Sequence, residues 1–359
     1  MSTASLPVPD GRAGAETPLG LRAPAALVLL GVLCVIAVLG TLSMGTVRVP
    51  VADVLSVLFG GEASRASWSQ IVLEFRLPRA LTSLLGGAAL GASGLLMQTI
   101  FRNPLAGPWV LGVSDGAVLG VTAYAVGVGL LPGVAGGFVL GGLPFIVAAL
   151  CGAALILFLI GAISRRVGPV TVLVAGLMIG SIAKGLVSFL YHFLAREEML
   201  IVESWSDGTF AATRMDELTV LGPLLVIGLL MAAAAAKPLN GLLLGEMSAE
   251  TLGVSAKRTR LHVLTAVMLL AGGLTAFAGP VAFIGVAVPH MARGVLGTAD
   301  HRVLLPGVIL VGGALGVVAD LVVHLPWYQT LLHLNAVTAL LGAPVVLWAV
   351  LSRRQGTPA

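Results

Sequence analysis

The sequence contains little charge. Asp, Glu, Lys and Arg make up 10% of its 359 residues, and only three of the basic residues are lysines. Soluble globular domains carry about 25% charged residues, so this composition excludes a soluble globular protein. The net charge of +4 comes from basic residues between apolar runs, a pattern that reports membrane topology. Nucleic acid is therefore not an expected partner.

Residue patterns for catalysis, metal binding and phosphate binding are also missing. The six histidines are scattered and include no HExxH or other paired metal spacing. None of the three lysines follows the G-x-x-x-x-G-K-[ST] pattern of a phosphate loop. We therefore predict no catalytic residue, metal or cofactor in this chain, and no enzymatic activity. If ATP drives its function, the ATPase is a separate chain.

Cysteine is scarce as well. The two cysteines, Cys34 and Cys151, both lie inside apolar runs. Free cysteine commonly behaves as a small buried hydrophobe, so both are predicted to be core residues.

Long apolar runs are what the chain has instead. A helix needs about 20 apolar residues to cross about 30 Å of hydrocarbon. Nine runs have this character: 24–45, 80–101, 110–131, 143–163, 170–194, 218–236, 261–296, 304–323 and 333–351. The run 261–296 is too long for one crossing and contains Gly279-Pro280, a natural break. An all-α integral membrane protein with about ten transmembrane helices is predicted.

The charges between the runs predict the orientation. With ten crossings, one side of the membrane receives thirteen basic and five acidic residues, and the other receives six basic and nine acidic. Basic loops stay in the cytoplasm, so the first side and both termini are predicted to be cytoplasmic. The predicted organisation is a disordered tail (1–23), a lipid-embedded ten-helix domain (24–351) and a short tail (352–359), in the cytoplasmic membrane.

Three ionisable residues fall inside the predicted spans: Asp115, Lys184 and Asp320. Each costs roughly 2.5–3.5 kcal/mol at mid-membrane and should face protein or water. Asp115, near a predicted cytoplasmic helix start, and Asp320 are expected to be structural, whereas Lys184 either lines a pathway or is structural. Three such groups on three spans make a poor proton relay, which weighs against an ion-coupled transporter.

The segment 237–260 is too polar to cross a bilayer and too apolar for a simple linker. Gly245 and Gly253 are predicted to divide it into two short helical pieces, each ended by a glycine C-cap. One interpretation is a surface that a soluble partner pushes against. The other is an amphipathic connector resting on lipid headgroups.

Several motifs occur in order along the chain. They are Arg76-Leu-Pro-Arg79, the run 87–117, Leu239-Asn240 with Leu244-Gly245-Glu246 and Leu252-Gly253, Gly279-Pro280, Pro289-His290 with Arg293, and Val337-Thr338 with Gly342-Ala343-Pro344. Together they resemble the FecCD-type (BtuC-like) permeases, the membrane subunits of ABC importers for ferric siderophores, haem and cobalamin. The resemblance covers about residues 24 to 351.

The resemblance implies a type II importer permease subunit of ten helices, and two such subunits enclose a translocation path. It also implies three kinds of protein partner: a pair of cytoplasmic ATPases that use the ATP, an extracytoplasmic substrate-binding protein, and a second permease in a homodimer or heterodimer. Lys184 would lie on the fifth helix, which lines the path in relatives.

The resemblance assigns two further sets of residues. Arg76 and Arg79 would dock the binding protein at the outer face, the alternative being that they anchor a helix start fixed by Pro78. A short cytoplasmic coupling helix within 237–260 would contact the ATPase. The residues implied in coupling are Leu239, Asn240, Leu244, Gly245, Glu246, Ala249, Leu252 and Gly253.

Two stretches depart from the family pattern. After Asp320 the chain has His324 where relatives carry an arginine, which puts a third docking contact in doubt. Leu331-Leu332-His333-Leu334-Asn335 replaces the usual Glu-Leu-Pro-Val-Gly. The Leu-Asn-Ala-Val-Thr variant is closer to siderophore-type members. The expected function is import of a ferric siderophore, with haem or cobalamin import, an ion-coupled transporter and a structural scaffold as alternatives.

Overall fold

The computed structural model describes residues 23–130, 142–164, 166–325 and 332–353, and these residues form helices and connecting turns with no strand. The predicted all-α fold is confirmed. The predicted tail 1–23 lies outside the described residues except for Ala23. Of the tail 352–359, only Ser352 and Arg353 are described, and both belong to the last helix.

Fifteen α-helices occur in the described residues: α1 Ala23–Ser43, α2 Val51–Leu58, α3 Ala66–Gln70, α4 Leu77–Ile100, α5 Val113–Leu130, α6 Leu143–Ile163, α7 Pro169–Leu190, α8 Arg196–Ser206, α9 Met215–Leu243, α10 Glu246–Thr251, α11 Ala256–Val267, α12 Gly273–Ala278, α13 Ile284–Leu296, α14 His301–Val323 and α15 Leu334–Arg353. The π-helical turn Ile71–Arg76 joins α3 to α4, and Met268–Gly272 joins α11 to α12. The second span therefore starts well before residue 80, where the apolar run begins.

In the described part of the chain, seven helices are long and apolar enough to cross a membrane, and three shorter apolar helices accompany them. The shorter ones are Val113–Gly129, Ile284–Leu296 and Leu334–Ala349. The break predicted in 261–296 is present, since α12 ends at Ala278 and α13 begins at Ile284. The ten apolar helices agree in number with the sequence-based prediction.

One short helix, α5, begins part of the way across the bundle. Gly112, with φ +73°, packs against Gly176 and Gly180 near the middle of α7, so a Cβ on Gly112 would lie 2.8 Å from the Gly180 Cα. The chain after α4 therefore enters the helix bundle as an irregular segment before α5 starts. Such backbone is tolerated at membrane depth only where protein or a water-filled cavity surrounds it. The predicted start of this span at the cytoplasmic surface, with Asp115 beside it, is wrong.

The core is built around α4, which is almost entirely buried. Glycines on α4 allow neighbouring backbones to touch: a side chain on Gly87 would overlap the carbonyl oxygen of Gly312 on α14, and one on Gly94 would overlap that of Gly285 on α13. Small residues at helix contacts are the usual means of close approach in membranes.

The cysteine prediction is half right. Cys34 on α1 is buried, but Cys151 is exposed on α6. Both lie in equally apolar runs, and sequence pattern does not say which side of a membrane helix faces lipid, because lipid and protein interior are similarly apolar.

Two groups of loops define the ends of the bundle. We call the end that carries residues 100–104, 164, 166–168, 240–260 and 297–301 the inner end, following the charge-based prediction. The opposite end, with residues 43–79, 191–214, 324–325 and 332–335, is called the outer end.

Candidate functional site

The segment 237–260 forms a helix–turn–helix at the inner end. Helix α9 continues to Leu243 through Pro238, and the six-residue α10 follows between Gly245 (φ +106°) and Gly253 (φ +79°). Both glycines have the backbone conformation that favours glycine. The predicted division at these two residues is confirmed, but the predicted first piece is the end of α9 and not a separate helix.

The eight predicted coupling residues divide by exposure. Leu239 and Ala249 are buried, so they hold α9 and α10 in place. Leu244 and Leu252 are 66% and 64% exposed, and Met247 between them is 84% exposed. Large apolar side chains exposed at the polar end of a membrane protein mark a surface for another protein or for the membrane. Met247 was not among the predicted coupling residues, although its apolar position in the segment was recognisable.

Asn240 joins the end of α9 to α14 and, through His301, to α4. Its side-chain oxygen accepts hydrogen bonds from the backbone N–H and the Nδ1 of His301, and its amide donates to Asp300 at 2.6 Å. The Nε2 of His301 lies 2.8 Å from the Thr99 hydroxyl at the end of α4. His301, 2% exposed, was missed because its partners are remote in sequence.

The same hydrogen bonds affect Asp300. The Arg302 backbone N–H and the Asn240 amide both donate to its carboxylate and lower its pKa, because they stabilise the charged form. This carboxylate caps the N-terminus of α14, so the inner end of that helix is held by a residue that stays ionised.

A second link at the inner end runs through Arg260 on α11. Its guanidinium forms an ion pair with the carboxylate of Glu246 at 3.0 Å and donates to the Ser164 carbonyl at 2.9 Å. Arg260 therefore connects α10 and α11 to the end of α6. A movement of α10 would therefore also displace α6, α9 and α11.

At the outer end, Arg76 is 5% exposed. It donates to the Leu42 carbonyl at 2.7 Å and also to the Val47 carbonyl. The side chain thus closes the turn between α1 and α2, which matches the anchoring alternative for this residue. Its guanidinium is not presented as a free surface charge.

Arg79 forms a buried ion pair with Asp320 on α14. The Nε of Arg79 lies 2.9 Å from the Asp320 Oδ2, and their side chains are 14% and 1% exposed. The Nδ1 of His324 donates to the Asp320 backbone carbonyl at 2.9 Å and lies 3.4 Å from its Oδ1. Asp320 thus has the structural role expected of it, and His324 completes the cluster.

A cavity of about 450 Å³ opens beside α5 and α7 and reaches residues of the outer end, including Tyr191 and Asn335. The Lys184 Nζ is 3.5 Å from the Asp115 Oδ1 and 5.7 Å from the Trp109 ring centroid, so two ionisable residues from different spans meet here. The Lys184 side chain is 63% exposed and Asp115 only 14%. The amine is therefore the accessible member of the pair.

Phe283 and Asn335 also line this cavity. Asn335 accepts a hydrogen bond from the Ala282 N–H and donates to the carbonyls of Asp207 and Pro280, all at 2.9 Å. It holds the break between α12 and α13, where Phe283 has φ +65° and stacks on Trp109. The only feature of the sequence that pointed to Asn335 was its place in the stretch 331–335, which differs from the family pattern. Leu331 of that stretch lies outside the described residues.

Comparison with known proteins identifies the family. Residues 33–352 match the model of the FecCD transport family. The vitamin B12 import system permease protein BtuC of Klebsiella pneumoniae is 36% identical over 296 residues, which cover 82% of this chain and 86% of that protein. The protein of the same name from Citrobacter koseri is 34% identical over 322 residues, covering 88% and 94%.

Solved structures agree with this result. A metal-chelate type ABC transporter in an inward-facing conformation has a TM-score of 0.79 and 26% identity, covering 92% of this chain and 99% of that chain. PsaBC from Streptococcus pneumoniae, in complex with Fab, shares the fold with a TM-score of 0.53 and 16% identity. The chain therefore belongs to the FecCD transport family and is a multi-pass inner-membrane permease of an ABC importer.

Proposed function

We propose that this permease imports a ferric siderophore, with ATP hydrolysed by a separate pair of cytoplasmic ATPases. A substrate-binding protein would deliver the chelate to the outer end, and a second permease chain would complete the path. The observation that supports this substrate is the accessible amine of Lys184 in the cavity beside α5 and α7.

The cavity suits an anionic chelate with an apolar face. A carboxylate or catecholate oxygen of the ligand can replace Asp115 as the partner of Lys184, because the 3.5 Å ion pair is loose and the amine is exposed. The Trp109 and Phe283 rings supply an apolar wall. A cation over an aromatic ring contributes about 0.5–2 kcal/mol, which keeps the amine in place between ligands.

Cobalamin is the second candidate substrate. The relatives from Klebsiella pneumoniae and Citrobacter koseri are named vitamin B12 permeases. Cobalamin would use the aromatic wall and would not need the amine. The two candidates therefore differ in their dependence on Lys184.

For coupling, the exposed residues Leu244, Met247 and Leu252 would receive the ATPase. Closure of the ATPase pair would press on α10 and move α9, with Asn240 passing the movement to α14 and α4. Arg260 would pass it to α6. Leu239 and Ala249 would keep the segment rigid, and Gly245 and Gly253 would provide its two turns.

For docking of the binding protein, Arg79 is the better placed of the two outer arginines. Its side chain retains some exposure, whereas Arg76 holds the turn between α1 and α2. An acidic residue of the binding protein would approach Arg79, and Arg76 would act through the shape of the loop.

Uptake assays test the substrate. The permease is expressed with its own ATPase and binding protein in cells lacking other importers, and uptake of labelled ferric citrate, ferrichrome and cyanocobalamin is measured. We expect Lys184→Met to reduce uptake of the anionic chelate about tenfold, the loss of one charge-assisted contact, and Lys184→Arg to retain it. If only cyanocobalamin is taken up, and Lys184→Met does not change its uptake, the siderophore proposal is wrong and the cobalamin proposal takes its place.

A further inference from the structure

A groove runs between α6 and α11 from the membrane region to the inner end. It consists of two cavities of about 360 and 440 Å³ that share Gly161, Leu261 and Leu264. The first is lined mainly by apolar side chains, and the second mainly by polar and charged ones. The groove is therefore continuous and amphipathic along its length.

The apolar part faces outward from the bundle. Phe158 on α6 is 72% exposed and Leu261 on α11 is 58% exposed. Its wall on the α11 side extends from Leu261 to Met268, roughly 10 Å at 1.5 Å per residue. Gly161 widens it, since the nearest atom to a Cβ there is Leu264 Cδ1 at 3.9 Å. The space fits part of an acyl chain.

The polar part carries an excess of basic residues. Lys257, Arg258 and Arg260 line it together with Glu246 and Glu250. Arg260 is committed to Glu246 and to the Ser164 carbonyl. Lys257 and Arg258 are exposed and form no ion pair with the described residues. Two cationic side chains are thus available at the point where the apolar groove ends.

We propose that this groove binds an anionic phospholipid of the inner leaflet. One acyl chain lies against Phe158, Gly161 and Leu261, and the headgroup phosphate contacts Lys257 and Arg258. Basic pockets between membrane helices on the cytoplasmic side bind anionic headgroups in this way. The inference rests on the inner end facing the cytoplasm, as in the proposed function.

The site adjoins the coupling segment. Lys257 lies one helical turn before Arg260 on α11, so a phosphate held by Lys257 can compete with Glu246 for the Arg260 guanidinium, which alters how firmly α10 is held to α11. Anionic lipid should therefore change the ATPase activity of the assembled importer. This effect would be separate from the identity of the transported substrate.

The test uses the complete permease–ATPase complex. It is reconstituted in phosphatidylcholine vesicles with or without phosphatidylglycerol, and retained lipid is measured by native mass spectrometry beside ATPase activity. Gly161→Leu fills the groove, and Lys257→Gln with Arg258→Gln removes the charges. The matched controls are Gly31→Leu on α1, where nothing lies within 4 Å of an added Cβ, and Arg302→Gln, an exposed basic residue.

We expect both groove variants to retain less phosphatidylglycerol and both controls to retain as much as wild type. Retention should fall about tenfold in the double charge variant, because each basic residue near the headgroups contributes to binding. The stimulation of ATPase activity by phosphatidylglycerol should disappear with it. Equal retention in all variants would overturn the proposal. Loss of phosphatidylglycerol retention in the charge variant alone would also overturn it, because the headgroup would then be attracted without use of the groove. Loss of the ATPase from the complex would overturn it too, because the surface would then belong to the ATPase. Substrate uptake in phosphatidylcholine tests the proposed function separately.

Discussion

The side-chain oxygen of Asn240 accepts two hydrogen bonds from His301, one from its backbone N–H at 2.9 Å and one from its imidazole Nδ1 at 2.8 Å. The two residues belong to α9 and α14, and His301 reaches α4 through Thr99. The buried imidazole of His301 thus links α9, the helix before α10, to α14 and α4, which pack closely together in the core. In the proposed coupling route, His301 would be a positioning residue.

The first prediction concerns this link. His301→Leu leaves the Asn240 oxygen with one donor fewer in a partly buried site, at a cost of about 1–3 kcal/mol. We expect ATP hydrolysis to continue while the substrate imported per ATP falls several-fold. His301→Gln, which keeps one amide donor, should restore part of the ratio. The ratio is measured in reconstituted vesicles, and an unchanged value for His301→Leu would show that the link only stabilises the fold.

The second prediction concerns the ion pair of Glu246 and Arg260. Glu246→Arg places two positive charges together and frees α10 from α11, so uptake should fall while ATPase activity becomes independent of the binding protein. The stability cost is small, since pairs with an exposed member contribute about 0–1 kcal/mol. The charge-swapped variant, Glu246→Arg with Arg260→Glu, should recover uptake. Failure of the swap, with folded protein present, would place the role of Glu246 in direct contact with the ATPase.

The third prediction concerns Arg79 and Asp320. Asp320→Leu leaves the Arg79 charge buried without its partner, which costs about 3–5 kcal/mol. Adding Arg79→Met removes the stranded charge and should recover much of the loss, because the pair is nearly fully buried. Thermal unfolding of the purified permease in detergent measures both variants. Equal destabilisation by the single and double variants would mean that the charges act independently.

The fourth prediction concerns the glycine contact between α4 and α13. A methyl group on Gly94 overlaps the Gly285 carbonyl, so Gly94→Ala must separate two backbones, and overpacking of this kind costs about 1–3 kcal/mol or more. We expect a lower yield of monodisperse permease and earlier thermal unfolding. Gly222→Ala on α9, where an added Cβ has nothing within 4 Å, is the control and should behave as wild type.

The membrane fold was predictable because it depends on local pattern. Run length and the Gly279-Pro280 break were enough to place most helices to within a few residues. The depth in the bundle at which α5 begins was not predictable, because it is decided by the glycine contact between Gly112 and α7. Hydropathy measures how apolar a stretch is, not the depth at which its helix begins.

The candidate sites were predictable to different degrees. The motif residues of the coupling segment were found, but buried Leu239 and exposed Met247 differ in a way that sequence does not reveal. Arg76 and Arg79 look equivalent in the motif, yet one closes a turn and the other pairs with Asp320. Their partners lie on other elements, so spacing alone could not separate the two roles.

The residues alone establish a membrane protein of about ten helices and its family, and they predict its orientation, because hydrophobicity, loop charge and motif order are properties of the linear chain. Folding in three dimensions decides that Asp115 meets Lys184, that Asn240 meets His301, and that Asn335 holds a broken helix. These pairs lie far apart in sequence, and they meet because small residues let the helices pack closely. The polar groups buried by that packing must then find one another, since an unpaired buried polar group is costly.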